Sequence, residues 1–289
     1  MISTQTKSLT AELDAFIRMA LHEDVRDGDH SSLACIPASS IGKANLLIKD
    51  NGILAGMEAA EYIFKHQDPE IQFVAYKQDG DLVSQGELAF TVSGNIQTIL
   101  MLERLVLNVM QRMSGIATRT LALTSLIGDL PTKLLDTRKT TPGIRFLEKW
   151  AVRIGGGQNH RFGLFDMILL KDNHVDGAGG IEKAISATHA YLKEKNLGLK
   201  IEIETRNLDE VKQVLTLGGV DRILLDNFSP EDTRTAVQLI DKRFETEASG
   251  GMAEHNLREY ALTGVDFISS SAMTHSVKSL DLSLKLAKG

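Results

Sequence analysis

Charged side chains follow a series of short apolar runs in the second half of the chain. Three cations, Arg138, Lys139 and Lys171, come directly after two of these runs. Two carboxylates, Glu204 and Asp226, come at the ends of the next two. Cations brought together at one site bind an anion. An acidic pair beside them suits Mg²⁺ held jointly with substrate phosphates, or the hydroxyls of a ribose. Ion pairing between the two carboxylates and the nearby lysines is the structural alternative.

The segment around these cations is basic although the chain is acidic. Residues 138–174 contain seven Lys or Arg against three Asp or Glu, in a chain whose formal net charge is −6. His160 and Arg161 follow a glycine-rich approach, Gly155 to Asn159. A local cationic patch on an acidic protein predicts a small polyanionic substrate and argues against nucleic acid.

Small residues end the last two apolar runs. Ser249, Gly250 and Gly251 follow one of them, and Ser269 to Ser271 follow the other. Backbone amides of such turns bind phosphate in α/β barrels. Two matching turns in succession favour a phosphate site there. Two ordinary tight turns are the alternative.

The elements that must position these residues alternate between strand and helix. Strand followed by helix, repeated, predicts right-handed βαβ units and a parallel sheet, and six such units indicate an α/β barrel with its site at the carboxyl ends of the strands. The apolar runs are 133–136, 167–170, 200–203, 222–225, 244–248 and 265–268, and the helical segments between them are 181–195, 207–217, 230–242 and 254–263.

The first 115 residues predict a separate α+β domain, with the barrel over 116–275. Helices are expected over 11–23, 57–64 and 96–113, and strands over 44–48, 71–76 and 88–92. The helix over 96–113 is apolar on most sides, which is typical of a helix in a core or an interface. It contains Arg104, which pairs with Glu103 or finds another anion. The last stretch, 276–289, predicts an amphipathic helix that packs back on the first domain.

Several classes of protein are excluded by the 289 residues. With 43% hydrophobic and 24% charged residues, the chain is neither disordered nor collagen-like. One cysteine, Cys35, forms no intrachain disulfide, and no HExxH, Cys-x-x-Cys or GxSxG motif is present. No apolar run is long enough to span a membrane and residues 1–10 have no signal-peptide core, so we expect a cytoplasmic protein. The acidic stretch 23–30 lacks EF-hand spacing, and a capped loop is expected there rather than a Ca²⁺ site.

One long stretch resembles the quinolinate phosphoribosyltransferase family. It runs from Leu134 to Val175 and reads LLDTRKTTPGIRFLEKWAVRIGGGQNHRFGLFDMILLKDNHV. Similarity continues through EDVRDGDH at 23–30, ERLVLNVMQRMSGIAT at 103–118, LLDNF at 224–228 and SGG at 249–251. The resemblance covers about residues 12 to 288.

The resemblance implies an open seven-stranded α/β barrel with an N-terminal α/β sandwich domain. It implies transfer of a phosphoribosyl group from 5-phosphoribosyl-1-pyrophosphate (PRPP) to quinolinate. The expected products are nicotinate mononucleotide, pyrophosphate and CO₂ in de novo NAD biosynthesis. Mg²⁺ would act with PRPP, and no organic cofactor is expected. A homodimer is implied, with hexamers left open.

The resemblance also assigns site residues at matching positions. Quinolinate and pyrophosphate would be bound by cations together with Thr137, the 5-phosphate by the serine-glycine turns, and the ribose and Mg²⁺ by the two carboxylates. Arg104 would reach across the dimer interface. The catalytic set is Lys139, Lys171, Glu204 and Asp226; the substrate-binding set is Arg104, Thr137, Arg138, Lys139, His160, Arg161, Lys171, Ser249, Gly250, Gly251, Ser270 and Ser271; the metal ligands are Glu204 and Asp226.

The chain departs from the family pattern at three positions. Ser271 stands where the family has a glycine that lets backbone approach phosphate. Arg26 also replaces a glycine, and Arg206 replaces a third strand carboxylate. One residue is inserted near Gly218 and Gly219.

Three other functions compete with this interpretation. A paralogue associated with molybdate transport shares the fold, but the TRK, HR and KDNH stretches favour the quinolinate enzyme. A Schiff-base lyase could use Lys139 or Lys171 as its amine. A ligand-binding regulator would have no need of the acidic pair.

Overall fold

The computed structural model describes residues 4–287, which form two compact units. The first unit contains the residues up to 121, the segment 140–156 and the residues from 276 onward; the second contains 122–139 and 157–275. The sequence-based division treats each domain as one continuous stretch. The structure differs because 140–156 groups with the first unit.

The elements follow one another in a mixed order in the first part of the chain and alternate in the second. In chain order they are α1 (Thr4–Asp24), α2 (His30–Cys35), β1 (Ile41–Ile48), β2 (Gly52–Ile53), α3 (Met57–Gln67), β3 (Gln72–Ala75), β4 (Leu82–Val83), β5 (Leu88–Asn95), α4 (Ile96–Ser125), β6 (Lys133–Leu135), α5 (Arg145–Ile154), β7 (Ile168–Leu170), α6 (Asp172–Ala178), α7 (Ile181–Lys195), β8 (Ile201–Thr205), α8 (Leu208–Leu217), β9 (Arg222–Asp226), α9 (Pro230–Ile240), β10 (Glu245–Ser249), α10 (Leu257–Ala261), β11 (Phe267–Ser269) and β12 (Leu282–Leu286).

The first unit is built on an antiparallel sheet with strand order β12-β1-β5-β3. The prediction of a helix over 276–289 is wrong: β12 is a strand that pairs with β1, with Leu282 opposite Ile48 and Leu286 opposite Ala44. Leu280, Leu282 and Leu284 are buried. Their spacing of two residues is the period of a strand, and it was mistaken for a helical stripe. The segment does join the first unit, as predicted.

The helix α4 carries much of the apolar core of the first unit. Its buried residues include Leu102, Val106, Met110 and Met113, in agreement with the predicted core helix. Arg112 on this helix binds the fully buried carboxylate of Glu148 on α5, with Nε and Nη2 at 3.0 and 2.8 Å from Oε1. A buried carboxylate is stable only when it is paired, so this ion pair holds α5 against α4.

The second unit is built on a parallel sheet with strand order β6-β11-β10-β9-β8-β7. All six predicted strands are present, and the helices α7 to α10 lie within the predicted segments. The family resemblance implied seven strands. The described residues contain six, and a single parallel bridge from Gln158 to Leu135 takes the next place beside β6. The sheet forms the open α/β barrel that the sequence predicts.

Alternation along the strands sorts the side chains of the barrel into two layers. On β8, Ile201 and Ile203 lie in an apolar core with residues of the surrounding helices, such as Val211 and Val214. Glu202 and Glu204 therefore point to the opposite face, into the barrel. All five residues of β8 are buried. The barrel interior is consequently charged, and it needs paired partners for its carboxylates.

Helix caps fix the points at which α8 and α9 begin after their preceding strands. Asn207 accepts hydrogen bonds from the backbone N–H groups of Asp209 and Glu210 at the start of α8. Ser229 accepts from Asp232 N at the start of α9, where Pro230 takes the first helical position. These caps end β8 and β9 at Thr205 and Asp226 and place the polar residues of both strands at one end of the barrel.

The ion pair in the first unit yields a stability prediction. Replacing Arg112 by Ala leaves Glu148 buried without its charged partner, and we expect the free energy of unfolding to fall by about 3 kcal/mol. Lys278→Ala is the control, because it removes a solvent-screened pair with Asp50 at 3.2 Å and should leave the free energy of unfolding nearly unchanged. Urea unfolding followed by circular dichroism measures both. Equal small losses would show that Glu148 is solvated when Arg112 is absent.

Candidate active site

The carboxyl ends of the barrel strands bring the acidic pair and one lysine to the same mouth. Glu204 stands two residues after Glu202 on β8, on the same face of the strand, and is 8% exposed. Its Oε2 lies 3.4 Å from Nζ of Lys171, which follows β7 and is half exposed. Asp226 ends the neighbouring strand β9, where it is partly buried. The structure thus places these three predicted site residues on adjacent strands.

The other predicted cations follow β6 at the same edge of the sheet. Arg138 and Lys139 are exposed. Their backbone is held in place: Lys139 N donates to Thr137 Oγ1 at 3.0 Å, and Thr274 Oγ1 donates to the carbonyl of Lys139 at 2.8 Å. Thr137 therefore shapes the turn that presents the two cations.

Asp136 joins the end of β6 to the segment carrying His160 and Arg161. It is fully buried, and its two oxygens accept from His160 N at 2.8 Å and from Asn159 Nδ2 at 2.6 Å. A carboxylate that accepts two N–H groups fixes the path of the chain it binds. Arg138 and Arg161 consequently lie on two segments that the Asp136 side chain holds together.

His160 points into the barrel rather than out of its mouth. Its side chain is 7% exposed, and Nε2 lies 3.0 Å from Oε2 of Glu202 and 3.4 Å from Oε2 of Glu247 on β10. Nδ1 accepts the backbone N–H of Arg161 at 2.7 Å. Both ring nitrogens are therefore engaged by the protein. The resemblance implied a contact between this ring and the substrate; in this structure Nε2 of the ring faces Glu202 and Glu247.

Arg222 completes this interior cluster. Nη1 lies 2.8 Å from Glu247 Oε2, and Nε and Nη2 lie 3.1 and 3.0 Å from Glu245 Oε2. Its guanidinium carbon stacks 4.1 Å above the ring of Phe267 on β11. Residues of β8, β9, β10 and β11 thus meet across the barrel interior, below the mouth that holds Glu204 and Asp226.

Burial and charge shift the pKa values of this cluster in opposite directions. Burial and the charge of Glu247 raise the pKa of Glu202 to about 7. Burial also raises the pKa of Glu247, but hydrogen bonds from His160 and Ser269 and the charge of Arg222 bring it below its ordinary value. Burial lowers the pKa of His160, whereas its contacts with both carboxylates act in the opposite direction and raise it.

The proton on His160 is placed by its hydrogen bonds. A raised pKa favours a second proton on Nδ1, but a protonated Nδ1 could not accept the N–H of Arg161 at 2.7 Å. We therefore assign the ring one proton, on Nε2, which faces the two carboxylates at 3.0 and 3.4 Å.

Arg161 is half-buried at the rim of the mouth. Its Nη1 donates to the carbonyl of Met167 at 3.2 Å. The other N–H groups of the guanidinium are available for a ligand at the mouth. Burial, together with the nearby charge of Arg138, lowers the pKa of Arg161. Two arginines that repel each other form a site for an anion.

The turn after β10 requires glycine at one position. Gly250 has φ +99°, and a Cβ there would lie 2.1 Å from Oδ1 of Asn227. Asn227 itself donates from Nδ2 to Asp226 Oδ2 at 2.7 Å, and its backbone N–H donates to Ser249 O at 2.9 Å. Asn227 therefore links the acidic end of β9 to the predicted phosphate turn. Gly251 has φ +60°, and a Cβ there would meet no atom beyond its chain neighbours within 4 Å.

The turn after β11 is compatible with its serine. Ser270 is buried, donates from Oγ to Met252 O at 2.7 Å and accepts from Ala272 N at 3.2 Å. Ser271 is not among the described residues with positive φ, so its backbone does not demand the glycine usual in the family. Arg26 does adopt positive φ, at 50°, where the family has glycine.

Two further sequence predictions concern residues of the first unit. Arg104, in the first unit, is 71% exposed and lies 3.8 Å from Glu103, so it is not the buried arginine that an apolar helix suggested. The acidic stretch 23–30 is a capped loop as predicted, because Asp29 accepts from Ser32 N at the start of α2. Within residues 4–287, no helix is long and apolar enough to cross a membrane.

The interior residues were missed by the sequence-based prediction, although a signal for them exists. Glu202 and Glu247 each stand one strand period from a predicted mouth residue, Glu204 and Ser249, in runs that were treated only as apolar. Alternation within IEIET and ETEAS would have placed both inside the barrel. Asn227 and Asp136 lie beside predicted site residues and gave no signal of their own.

Comparison with known proteins identifies the family of the chain. Residues 29–114 match the model for the quinolinate phosphoribosyl transferase N-terminal domain, and residues 116–285 match the model for its C-terminal domain. A chloroplastic nicotinate-nucleotide pyrophosphorylase (carboxylating) from Arabidopsis thaliana is 47% identical, over 96% of this chain and 83% of that one. A probable nicotinate-nucleotide pyrophosphorylase (carboxylating) from Synechocystis is 40% identical, over 96% and 93%.

Solved structures show the same fold. NadC from Streptococcus pyogenes superposes with a TM-score of 0.89 at 38% identity, covering 96% of both chains. The nicotinate-nucleotide pyrophosphorylase from Francisella tularensis superposes with a TM-score of 0.88 at 38% identity, covering 96% of this chain and 97% of that one.

The two glycines after β10 provide a matched pair of variants. Gly250→Ala forces a Cβ onto Asn227 in addition to a strained φ, and we expect a loss of about 3 kcal/mol in the free energy of unfolding. Gly251→Ala meets open space and should cost about 1 kcal/mol. Chemical unfolding measures both; similar costs would show that Asn227 moves freely, and would argue against its linking role.

Proposed function

The chain belongs to the quinolinate phosphoribosyltransferase family, and we propose that it carries out the family reaction at the mouth of its α/β barrel. That reaction transfers the phosphoribosyl group of PRPP to quinolinate and releases CO₂ and pyrophosphate, giving nicotinate mononucleotide for NAD biosynthesis. The observation that carries the assignment of the site is the cationic rim above a pair of carboxylates on neighbouring strands.

The cations at the rim would bind the two adjacent carboxylates of quinolinate. Arg138, Arg161 and Lys171 extend from three segments at one end of the sheet, and Asp136 ties two of these segments together. Guanidinium groups bind planar carboxylates through paired hydrogen bonds. Lys139 lies beside Arg138 and would contact the pyrophosphate of PRPP. A ligand with one carboxylate would leave part of this charge unmatched.

The two turns after β10 and β11 would bind the 5-phosphate of PRPP. The positive φ values of Gly250 and Gly251 open the first turn toward the mouth, while Ser270 anchors the second. Backbone amides in such turns bind phosphate oxygens without bringing another carboxylate near them. This position puts the ribose between the phosphate turns and the rim cations.

Glu204 and Asp226 would stabilise the positive charge that develops on the ribose. The bond from C1′ to the pyrophosphate oxygen breaks and the pyridine nitrogen forms a new bond to C1′. Carboxylates fixed beside C1′ lower the energy of the oxocarbenium-like state between these events. Lys171 pairs with Glu204 before substrate binds and compensates its charge.

The same two carboxylates are suitable ligands for Mg²⁺ shared with PRPP. Both offer oxygen donors on adjacent strands, and two protein carboxylates with substrate phosphates form a common magnesium site. When bound, Mg²⁺ would neutralise charge on the departing pyrophosphate. No organic cofactor is proposed, because PRPP is itself the activated donor of the phosphoribosyl group.

Loss of CO₂ follows from the charge of the product ring. Once nitrogen is bonded to C1′, the ring is a pyridinium, and the bond from C2 to its carboxylate breaks with its electron pair remaining on C2, where the adjacent positive nitrogen stabilises it. A proton from solvent then takes the place of CO₂ at C2. The rim cations hold the remaining 3-carboxylate during this step, so the step requires no covalent lysine.

A homodimer would complete the site through Arg104. The guanidinium group of Arg104 is exposed on a helix that is otherwise largely buried, and its contact with Glu103 at 3.8 Å is weak. In a two-fold dimer each copy would contribute this cation to the barrel mouth of the other. Association into hexamers and the cytoplasmic location stay predictions.

The activity itself is tested with purified protein, PRPP and Mg²⁺. Quinolinate should yield nicotinate mononucleotide, detected by mass spectrometry, whereas nicotinate should yield none because it lacks the 2-carboxylate. Borohydride added during turnover should trap no substrate on Lys139 or Lys171. Product from nicotinate, or a trapped adduct, would contradict the proposed use of the rim.

Glu204 separates catalysis from binding. Glu204→Gln should lower kcat about 100-fold, because the carboxylate acts on the charge of the transition state, and change the KM for quinolinate by less than about threefold. Glu194→Gln, at an exposed position on α7, is the control for loss of one carboxylate. An equal effect on kcat and on quinolinate affinity would remove Glu204 from this role.

The contribution of Arg104 is tested by mixing two inactive variants. Arg104→Ala and Lys171→Ala would each inactivate both sites of their own homodimer. After exchange of subunits, half of the dimers are mixed and carry one intact site, so activity should return to about one quarter of that of the unaltered protein. No recovery, with exchange verified by mass spectrometry, would place both residues in the same copy's site.

A further inference from the structure

The cluster inside the barrel lies one layer below the proposed catalytic groups. It consists of His160, Glu202, Glu247 and Arg222, and we call it the interior cluster. Both carboxylates are fully buried, and among the described residues no group donates a hydrogen bond to either oxygen of Glu202 or to Oε1 of Glu247, so the 3.0 Å approach of His160 Nε2 to Glu202 Oε2 is a charge contact. Charged groups buried in this way are costly, so their presence requires a gain elsewhere.

A metal ion is not the explanation that the geometry favours. His160, Glu202 and Glu247 do offer ligand atoms within 4.8 Å of one another. However, Nδ1 of His160 accepts an N–H, so its neutral ring carries a proton on Nε2, the nitrogen that faces the carboxylates. Arg222 also places a fixed positive charge 2.8 Å from Glu247. Arg222 therefore already supplies positive charge to the cluster.

The contacts of the ring lead instead to the rim of the mouth. The negative carboxylates face Nε2 of the ring, and Nδ1 on its other side accepts the N–H of Arg161. The backbone N–H of His160 is bound by Asp136. The peptide between His160 and Arg161 is thus fixed at two points. The His160 ring binds its N–H, and Asp136 binds the backbone N–H of His160.

We infer that Glu202 and Glu247 are positioning residues for quinolinate binding: they hold the His160 ring with its proton on Nε2, and the ring in turn fixes the peptide from which Arg161 extends to the substrate. This inference rests on the proposed function for its substrate. It makes His160 a support for the cationic rim rather than a direct ligand of quinolinate. The charged partners that face the cluster are Arg222 and, on β10, Glu245.

The isosteric variants Glu202→Gln and Glu247→Gln test this role. An amide can present N–H to Nε2, which favours the other tautomer and turns Nδ1 into a donor that repels the N–H of Arg161. The KM for quinolinate should rise about 10-fold to 100-fold, because small displacements of a binding group have large effects. The KM for PRPP should change by less than about twofold.

Glu245→Gln is the matched control. It removes a carboxylate that also binds Arg222 and lies on the same strand as Glu247, but it has no contact with His160. Its KM for quinolinate should equal that of the unaltered protein. Should Glu247→Gln fold poorly because Arg222 loses a partner, Glu202→Gln tests the same inference without that contact.

A readout without substrate separates the inference from the proposed function. ¹⁵N NMR of labelled histidine should show His160 protonated on Nε2 and unprotonated on Nδ1 at pH 7.5, with the resonance identified by its loss in His160→Gln. The Glu202→Gln variant should shift this pattern and move the amide resonance of Arg161, whereas Glu245→Gln should not. An unshifted tautomer in Glu202→Gln, or equal increases in the two KM values, would overturn the inference. Absence of quinolinate turnover in the unaltered protein would overturn the proposed function while leaving the tautomer result to decide the inference about the ring.

Discussion

The structure of the second unit depends on burial of β8 on both faces. A strand enclosed on both sides normally consists of apolar residues throughout, because every buried polar atom needs a partner. β8 reads IEIET, with Ile201 and Ile203 against the helices and Glu202 and Glu204 in the barrel. Partners for these carboxylates must come from other elements, and they do: His160 for the lower one and Lys171 for the upper one. The charged interior thereby connects the strands to the segments that carry the rim cations.

The two layers of the interior have different tasks. The upper layer, with Glu204 and Asp226, lies at the mouth where the ribose would react. The lower layer, with Glu202, Glu247 and Arg222, is closed to solvent and holds the ring of His160. A site that must bind two adjacent carboxylates needs several cations at close range, and these repel one another. Burial and, after it, the charge of Arg138 lower the pKa of Arg161. Fixed backbone around Asp136 and His160 keeps the cations together before the substrate compensates their charge.

The sequence predicted the parts that follow a strong period and missed those that depend on partners. The six strands and the helices between them were predicted because the barrel repeats one unit, and Lys171, Glu204 and Asp226 were found because strand ends meet at one edge. The strand β12 was predicted as a helix because Leu280, Leu282 and Leu284 also suit an amphipathic stripe, and only pairing with β1 decides between them. The inward turn of His160 could not be predicted, since it depends on Glu202 and Glu247, which are 42 and 87 residues away along the chain. Grouping of 140–156 with the first unit depends on the distant Arg112 in the same way.

The most direct measurement of the central claim is a crystal structure of the protein with quinolinate bound in the absence of PRPP. The account predicts the two carboxylates of the ligand against Arg138, Arg161 and Lys171, with Nε2 of His160 still on Glu202 and Glu247. A ring of His160 turned outward to bind the ligand would show that the interior cluster does not hold it. A ligand bound away from the barrel mouth would contradict the assignment of the site itself.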